Sequence, residues 1–376
     1  MLLSEDHRAV QDAVRAYVQD HIAPKAAQWD RDGHFPKDEL RGLAQLGCYG
    51  VAVPTEWDGA ALDYLSLALM LEEIAAGDGA TSTVVSVNNC PVCSILMAWA
   101  NDAQKEQWLR PLARGDMLGA FCLTEPHVGS QADGLKTTAV KDGADYVLNG
   151  VKQFITSGRN GDVAIVMAVT DRSAGKRGIS AFIVPTASAG YVVDRLEDKL
   201  GQHASDTAQI RFDNCLVPAA NLIGDEGQGL KIALSGLEGG RIGIGSQAIG
   251  MARAAFDAAL RYAKERVAFG KPIFEHQALQ FRLAEMAMEI EAARQLVRHA
   301  ASLKDAGVPC LKEAAMGKLF ASEMAERVCS AAIQIHGGYG YVSDFPVERI
   351  YRDVRVCQIY EGTSDVQKML IARALG

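Results

Sequence analysis

The sequence predicts an α+β protein with an N-terminal α-helical domain over residues 1–117, a middle β domain over 118–225 and a C-terminal four-helix bundle domain over 226–376. Three observations carry this prediction. Up to about residue 117, apolar residues recur at three- and four-residue spacing, the period of a helix packed on one face. From Leu118 to Asn221 that spacing gives way to short runs of Val, Ile, Thr, Phe and Tyr punctuated by Gly, Asp and Asn. After Gly224-Asp225-Glu226-Gly227 the helical spacing returns and lasts to the end.

In the first domain, Val10, Val14 and Tyr17 mark a helix, Pro24 breaks the pattern, and Leu62 to Ile74 forms another stripe ending at Gly77. The stretch from Gly79 to Asn101 has no charged residue and is long enough to span a bilayer. Asn88-Asn89-Cys90-Pro91 interrupts it, which predicts two buried helical segments around a bend and no membrane insertion. The expected strands are Phe121–Thr124, Tyr146–Leu148, Val163–Val169, Ile179–Val184 and Gln209–Phe212, with turns at Lys141-Asp142-Gly143 and Asn149-Gly150. No helix-length segment separates them, so an antiparallel barrel or sandwich is expected. In the last domain Leu279, Leu283, Met286, Ile290, Ala293 and Val297 alternate spacings of four and three, a bundle helix whose narrow seam suits subunit contacts.

At 376 residues and 40.3 kDa, with 49% hydrophobic and 22% charged residues, the chain has the composition of a globular protein with a large core. A net charge of −8 and the lack of any Lys/Arg block argue against nucleic acid as a partner. They leave room for a phosphorylated small molecule, which needs only a few local donors. The first residues show neither a basic nor an apolar leader region, which gives a cytoplasmic expectation. Eight scattered cysteines read as reduced thiols. Cys90 and Cys93 form a lone C-x-x-C with no second pair, so no metal site is expected.

Several motifs admit both a functional and a plainer reading. In Ile359-Tyr360-Glu361-Gly362-Thr363-Ser364, Glu361 precedes a bendable glycine, and Ser364 with Gln367 reads as a capping box for the following helix. Glu361 is then either a base on a hinge or an exposed loop carboxylate near a helix dipole. Phe121-Cys122-Leu123-Thr124-Glu125-Pro126 leads into a Gly129-Ser130 loop, which offers N–H groups and hydroxyls to a phosphate or a polar ring edge, or is simply a strand stop. Gly243-Ile244-Gly245-Ser246-Gln247-Ala248 matches a dinucleotide fingerprint but lacks the strand before it, and reads as close helix packing. His336-Gly337-Gly338 closes one helix and Arg266 with Phe269-Gly270 closes another; each is a phosphate contact or an ordinary helix end.

Taken together, F-C-L-T-E-P-x-x-G-S at 121–130, F-I-T-S-G at 154–158, E-R-x-x-F-G-K at 265–271, E-H-Q at 275–277, Q-I-H-G-G-Y-G-Y at 334–341 and I-Y-E-G-T-S at 359–364 resemble the acyl-CoA dehydrogenases. The resemblance runs along essentially the whole chain. It implies that Glu361 takes the α-proton of an acyl-CoA thioester while the β-hydrogen leaves as hydride to N5 of FAD, giving the trans-2-enoyl-CoA. Phe121, Leu123, Thr124, Ser130, Phe154, Ile155, Thr156 and Thr363 are implied near the flavin. Arg266, Phe269, Gln277, Gln334, Gly337 and Gly338 are implied at its adenosine and pyrophosphate end, across a subunit interface. Ser130, Glu238, Arg241 and Gly362 are implied to contact substrate.

A branch of the family carries its base at the position of Gly240, which has no side chain to serve, so Glu361 remains. His127 and Gln131 depart from the family's usual small residue and Asp, and Phe154 stands where many members have Trp. Ser86-Val87-Asn88-Asn89 and Leu237-Glu238-Gly239-Gly240-Arg241 look most like the short straight- and branched-chain members, so butyryl- or isobutyryl-CoA is the expected substrate. The resemblance further implies fatty acid β-oxidation or branched-chain amino acid catabolism, electron-transferring flavoprotein as acceptor, and a homotetramer. Two rivals share the fold: an acyl-CoA oxidase that passes electrons to oxygen, and a non-catalytic helical scaffold.

Overall fold

The computed structural model of the chain describes residues 2–376. Helices occupy the chain up to Arg114, strands run from Gly119 to Ile223, and helices resume at Gly229. Helix α1 (Glu5–Tyr17) starts at Ser4, whose hydroxyl accepts the His7 N–H. Helix α2 (Tyr64–Gly77) starts at Asp63, which accepts the Ser66 N–H at 2.7 Å. Nearly all of α2 is buried, because it packs between α1 and two long C-terminal helices, α4 (Gly229–Glu265) and α5 (Gln277–Asp305). Glu72 and Glu73 on α2 are tolerated inside because arginines of the neighbouring helices meet them: Arg253 lies 2.6 Å from Glu73 and Arg294 2.9 Å from Glu72.

The uncharged stretch forms α3 (Gly79–Val87), a bend over Asn88–Cys93 and a short helix, Ser94–Trp99. Cys90 leaves the helical region (φ −137, ψ 114), as a residue before proline prefers. The two asparagines stitch the bend: Asn89 donates to the Cys48 carbonyl at 2.7 Å, and Asn88 accepts the Gly119 N–H at 3.0 Å. Among the described residues, no helix is long and apolar enough to cross a membrane.

Eight strands form the middle domain: β1 (Gly119–Cys122), β2 (Thr138–Asp142), β3 (Asp145–Thr156), β4 (Val163–Val169), β5 (Ile179–Pro185), β6 (Tyr191–Leu196), β7 (Thr207–Pro218) and β8 (Leu222–Ile223). Their order is β6-β7-β3-β2-β4-β5-β8, with β1 beside β4. Neighbours are antiparallel as expected, except that β1 runs parallel to β4 and β2 meets β4 in one parallel pair, Thr138–Val169. That single link lets the two halves face each other over a core containing Cys122, Val166 and Phe182 from one half and Tyr146, Leu148, Ile210 and Phe212 from the other.

In the C-terminal domain, α4, α5 and α6 (Leu311–His336) pack lengthwise, and α7 (Val347–Val354) and α8 (Ser364–Arg373) complete the bundle. Gly243 and Gly245 sit inside α4, where an added Cβ would come 2.7 Å from Ser86 Oγ and 2.7 Å from Val297 Cγ2. The fingerprint match is therefore helix packing. One expectation changes here. The seam residues Leu283, Met286, Ile290, Ala293 and Val297 are buried within the subunit, because α4 and α6 already cover that face. What α5 leaves outward is a different stripe, Phe281, Met288 and Leu296.

Candidate active site

The chain leaves α7, makes a tight turn over Arg355–Gln358 and reaches Glu361, which has left-handed φ (+53), followed by Gly362 at φ +91. The capping differs from expectation. Thr363, not Ser364, is the N-cap, its hydroxyl accepting the Val366 N–H at 3.3 Å. Gln367 does not reach the cap; fully buried under the turn, it donates to the carbonyls of Gly362 at 2.8 Å and Glu361 at 3.3 Å. The two left-handed residues aim those carbonyls down at α8, which is what draws Gln367 away from the capping role.

Glu361 is no exposed loop carboxylate. Its Oε2 is sealed from solvent and has no hydrogen-bond partner among the described residues. The carboxylate occupies the space that any side chain at position 240 would need: a Cβ on Gly240 would lie 1.8 Å from Oε2 and 2.6 Å from Cδ. Burial pushes the Glu361 carboxyl up to about 8, against the opposing pull of Arg241 and Lys318. The Glu361 N–H makes no hydrogen bond among the described residues.

The surroundings come from all three parts of the chain. Arg241 on α4 is 5% exposed, and its Nε and Nη1 find no partner among the described residues. Burial lowers its pKa while the Glu361 and Glu238 charges raise it. Glu238, one turn earlier, is held by Lys304 at 3.1 Å rather than by Arg241. At the bend after α3, Cys90 lies 3.8 Å from the Tyr64 hydroxyl, and burial pushes its thiol up to about 11. Lys318 on α6 donates to the Gly362 carbonyl at 2.7 Å. Tyr360, just before Glu361, bonds through its hydroxyl to Gln247 on α4, and lies 3.5 Å from both Thr83 on α3 and Gln202 of the middle domain.

A second group forms on the β domain. Lys152 on β3 is wholly buried and donates to the Leu123 carbonyl at 3.1 Å and to Glu125 at 2.9 Å; the Gln153 N–H donates to the Thr124 carbonyl at 2.9 Å. These bonds make Leu123-Thr124-Glu125 a fixed ledge. Beside it, β3 bulges between Lys152 and Ile155, and Phe154 in the bulge adopts φ +59 and is 62% exposed. An aromatic ring held outward by a strained backbone next to a rigid ledge suits a flat partner. Ile155 is buried, Phe121 and Thr156 are half-buried, and Ser130 is exposed.

The third group lies at the far end of the bundle. Arg266 sits over the Tyr339 ring at 5.9 Å, and with Gly337 and Gly338 it lines an open cavity of ≈ 570 Å³. A Cβ on either glycine would meet nothing within 4 Å, so the cradle has free room. His336, stacked on Tyr262, backs it. Phe269 is 97% exposed at φ +53, Gln277 is exposed, and Gln334 lines a separate cavity with Arg282 and Arg327. These three do not converge with the glycines in a single chain. No grouping that could hold a metal ion occurs among the described residues, and all eight cysteines are free.

Sequence reasoning missed Lys318, Lys152 and the Tyr360–Gln247 contact, and gave Gln367 a capping role in place of its bonds to the turn. Two of them carried a signal. Lys152 falls on the inward parity of β3 with Tyr146 and Leu148, and Lys318 sits amid Ala314, Ala315, Ala321 and Ala325, at helical spacing on a buried face.

Models of three acyl-CoA dehydrogenase domains match along the chain: the N-terminal domain over residues 4–116, the middle domain over 120–215 and the C-terminal domain over 227–376. The mitochondrial short-chain specific acyl-CoA dehydrogenase of Rattus norvegicus is 45% identical over 370 residues, 98% of this chain and 90% of its own length. Among solved structures, butyryl-CoA dehydrogenase from Megasphaera elsdenii has a TM-score of 0.97 at 41% identity, covering 100% of this chain and 99% of its own. A chain from work on the electron transferring flavoprotein of Acidaminococcus fermentans reaches a TM-score of 0.98 at 43% identity, covering 100% and 99%. A glutaryl-CoA dehydrogenase from Mycobacterium smegmatis in complex with FADH2 reaches 0.94 at 32% identity, covering 99% and 95%. With three domain models in order along its length and a relative this close, the chain belongs to the acyl-CoA dehydrogenase family of oxidoreductases.

Proposed function

We propose that this enzyme dehydrogenates a short-chain acyl-CoA thioester to the trans-2-enoyl-CoA, with Glu361 as the base that removes the α-proton. The observation that carries the proposal is the Glu361 carboxylate itself, packed against Gly240 with Oε2 buried and unpartnered and its pKa pushed up to about 8. A base must match a weak carbon acid, and each unit of pKa mismatch removed saves about 1.4 kcal/mol. The free Glu361 N–H is suited to donate to the thioester oxygen, where negative charge grows as the proton leaves. Arg241 keeps a positive charge beside the base without bonding to it, so the carboxylate stays free to accept the proton.

The residues of the β ledge and the glycine cradle fit FAD, the family's cofactor. Phe154 offers its exposed ring to one face of the flavin; Leu123, Thr124, Phe121, Ile155 and Thr156 border it, with Ser130 and Thr363 at its approaches. Arg266, Gly337 and Gly338 suit the pyrophosphate, with Phe269, Gln277 and Gln334 serving a neighbouring subunit's cofactor. When bound, FAD supplies the acceptor for the β-hydride. On the substrate side, Gly362 borders the thioester and Arg241 the acyl end, with Glu238 tied back by Lys304.

Division into domains at 117/118 and 225/226 goes with this reading, as do butyryl- or isobutyryl-CoA as substrate and a place in fatty acid β-oxidation or branched-chain amino acid catabolism. The likeness to the Megasphaera elsdenii enzyme supports the short chain. Likeness to the chain from the Acidaminococcus fermentans work supports an electron-transferring flavoprotein as acceptor. The outward Phe281, Met288 and Leu296 stripe and the unconverged adenosine residues support a homotetramer.

The test is an anaerobic titration with acyl-CoA esters of graded length and branching, following bleaching of the flavin band. Short straight or singly branched esters should bleach it. Glu361→Gln should keep FAD and lose bleaching by about a thousandfold or more. A protein that stays colourless with added FAD would remove the dehydrogenase reading.

A further inference from the structure

Lys318 belongs to none of the roles above, yet it is the feature of the bundle that packing explains least. It is wholly buried on α6. The one hydrogen bond its ammonium makes among the described residues goes to a neutral carbonyl, that of Gly362. Burying an ammonium on a single neutral acceptor is costly, and a methionine would fill the same space among alanines without that cost.

The receiving turn also needs support. Glu361 is a non-glycine residue at φ +53, a strained conformation that persists only where its surroundings enforce it. Two donors converge on the carbonyl that follows: Lys318 Nζ at 2.7 Å from α6 and Gln367 Nε2 at 2.8 Å from α8. Together they occupy both lone pairs of the Gly362 oxygen. The turn so fixed is the one that drives the Glu361 carboxylate against Gly240.

We propose that Lys318 is a positioning residue for the base: its ammonium clamps the Gly362 carbonyl, holds the left-handed Glu361 turn, and sets the pose and proton affinity of the Glu361 carboxylate. The pose rests on the reading of Glu361 as base; the effect on proton affinity does not. Every charge concerned is accounted for. Glu361 faces Arg241 of α4 and Lys318 of α6, with the Cys90 thiol alongside. Lys318 faces Cys357, Glu361, Arg241 and Glu323, and burial lowers its own pKa to about 8.

The experiment compares Lys318→Met and Lys318→Arg with the parent in the FAD-loaded protein. Titration of the Glu361 carboxyl is read by infrared difference against Glu361→Gln, alongside kcat, KM and Tm. In Lys318→Met the carboxyl should titrate about one unit or more higher, because the neighbouring cation that favours its ionised form is gone. Turnover should fall about a hundredfold with KM little changed, as expected for a misplaced rather than missing base. Lys318→Arg should keep the parent titration and regain part of the rate. If Lys318→Met does not fold, Lys318→Gln replaces it, keeping a donor without the charge. An unmoved Glu361 titration overturns the proposal, whether turnover survives or falls. If no acyl-CoA ester bleaches the parent, the dehydrogenase reading fails, while the infrared titration still decides Lys318.

Discussion

Two buried Glu–Lys neighbourhoods, one in the β domain and one in the helical bundle, use the same residue types to opposite ends. In the β domain both oxygens of Glu125 are taken: Oε1 by Lys152 at 2.9 Å and the Thr137 N–H at 3.0 Å, Oε2 by the Lys136 N–H at 2.7 Å. Burial pushes that carboxyl up, but Lys152 and the N–H donors outweigh it and hold Glu125 below its usual range. In the bundle, Lys318 is bonded to backbone instead, Glu361 Oε2 is left without a partner, and the carboxyl is pushed up to about 8. A buried carboxylate with both oxygens bonded is frame. One that is buried, charge-steered and unpaired has a raised affinity for a proton, as the proposed base requires.

The largest effect that would break this contrast lies in the frame. Glu125→Gln or Lys152→Met alone should cost about 3–5 kcal/mol, since each leaves one buried charge uncompensated. The double variant should recover much of that loss, because neither charge then remains. Urea unfolding of the four proteins measures the coupling. Single variants within about 1 kcal/mol of the parent would mean that water reaches the pair and that the two neighbourhoods do not differ as described. The ledge of Leu123 and Thr124 hangs from the same lysine, so the singles should also release FAD more readily.

The next effect is felt in activity and hardly in stability. Gly240→Ala places a methyl where Glu361 Oε2 now lies, 1.8 Å from it, so the carboxylate must move. Turnover should drop about a hundredfold. In the middle of α4 an alanine is favoured over glycine by roughly 0.5–1 kcal/mol, which offsets much of the local strain. A slower enzyme of nearly unchanged Tm is the expected signature. A Gly240→Ala protein with parental turnover would show that Glu361 works from another pose.

How much of this was legible in the sequence follows from what each signal depends on. Helical and strand periods are local, so the helical–β–helical order could be read, and a glycine at 240 beside a glutamate at 361 could be read through the family resemblance. The β1–β4 pairing could not, because it joins residues 44 positions apart, Gly119 with Val163, with nothing local to mark it. Thr363 and Ser364 are equally good caps by type, and only the backbone angle of the turn decides between them. Lys152 and Lys318 were passed over because a single lysine in an apolar stripe looks like an exception to the pattern. In both places the exception marks the charge that organises a site.

The smallest effect separates the two carboxylates by pH alone. The ordinary value for Glu361 is 4.5 and its folded value is about 8, so between those limits the folded chain keeps a proton that the unfolded chain has released. That contribution to stability is complete below about pH 4.5 and is lost as pH rises to about 8. Glu361→Gln cannot ionise. Its Tm relative to the parent should therefore climb between pH 5 and pH 9, by the equivalent of about 1–2 kcal/mol once the turn opens to hydrate the charge. Glu125 has the opposite sign: its carboxyl is held low, so its contribution is present above the ordinary carboxylate range and is lost as pH falls. Between pH 5 and pH 9 the Glu361→Gln melting temperature should therefore climb relative to the parent while that of Glu125→Gln stays a constant amount below it, and Glu125→Gln should close on the parent only below about pH 4.5. If the Glu361→Gln difference stays flat from pH 5 to pH 9, Glu361 ionises as freely in the fold as in water, and the proposed desolvated base is lost with it.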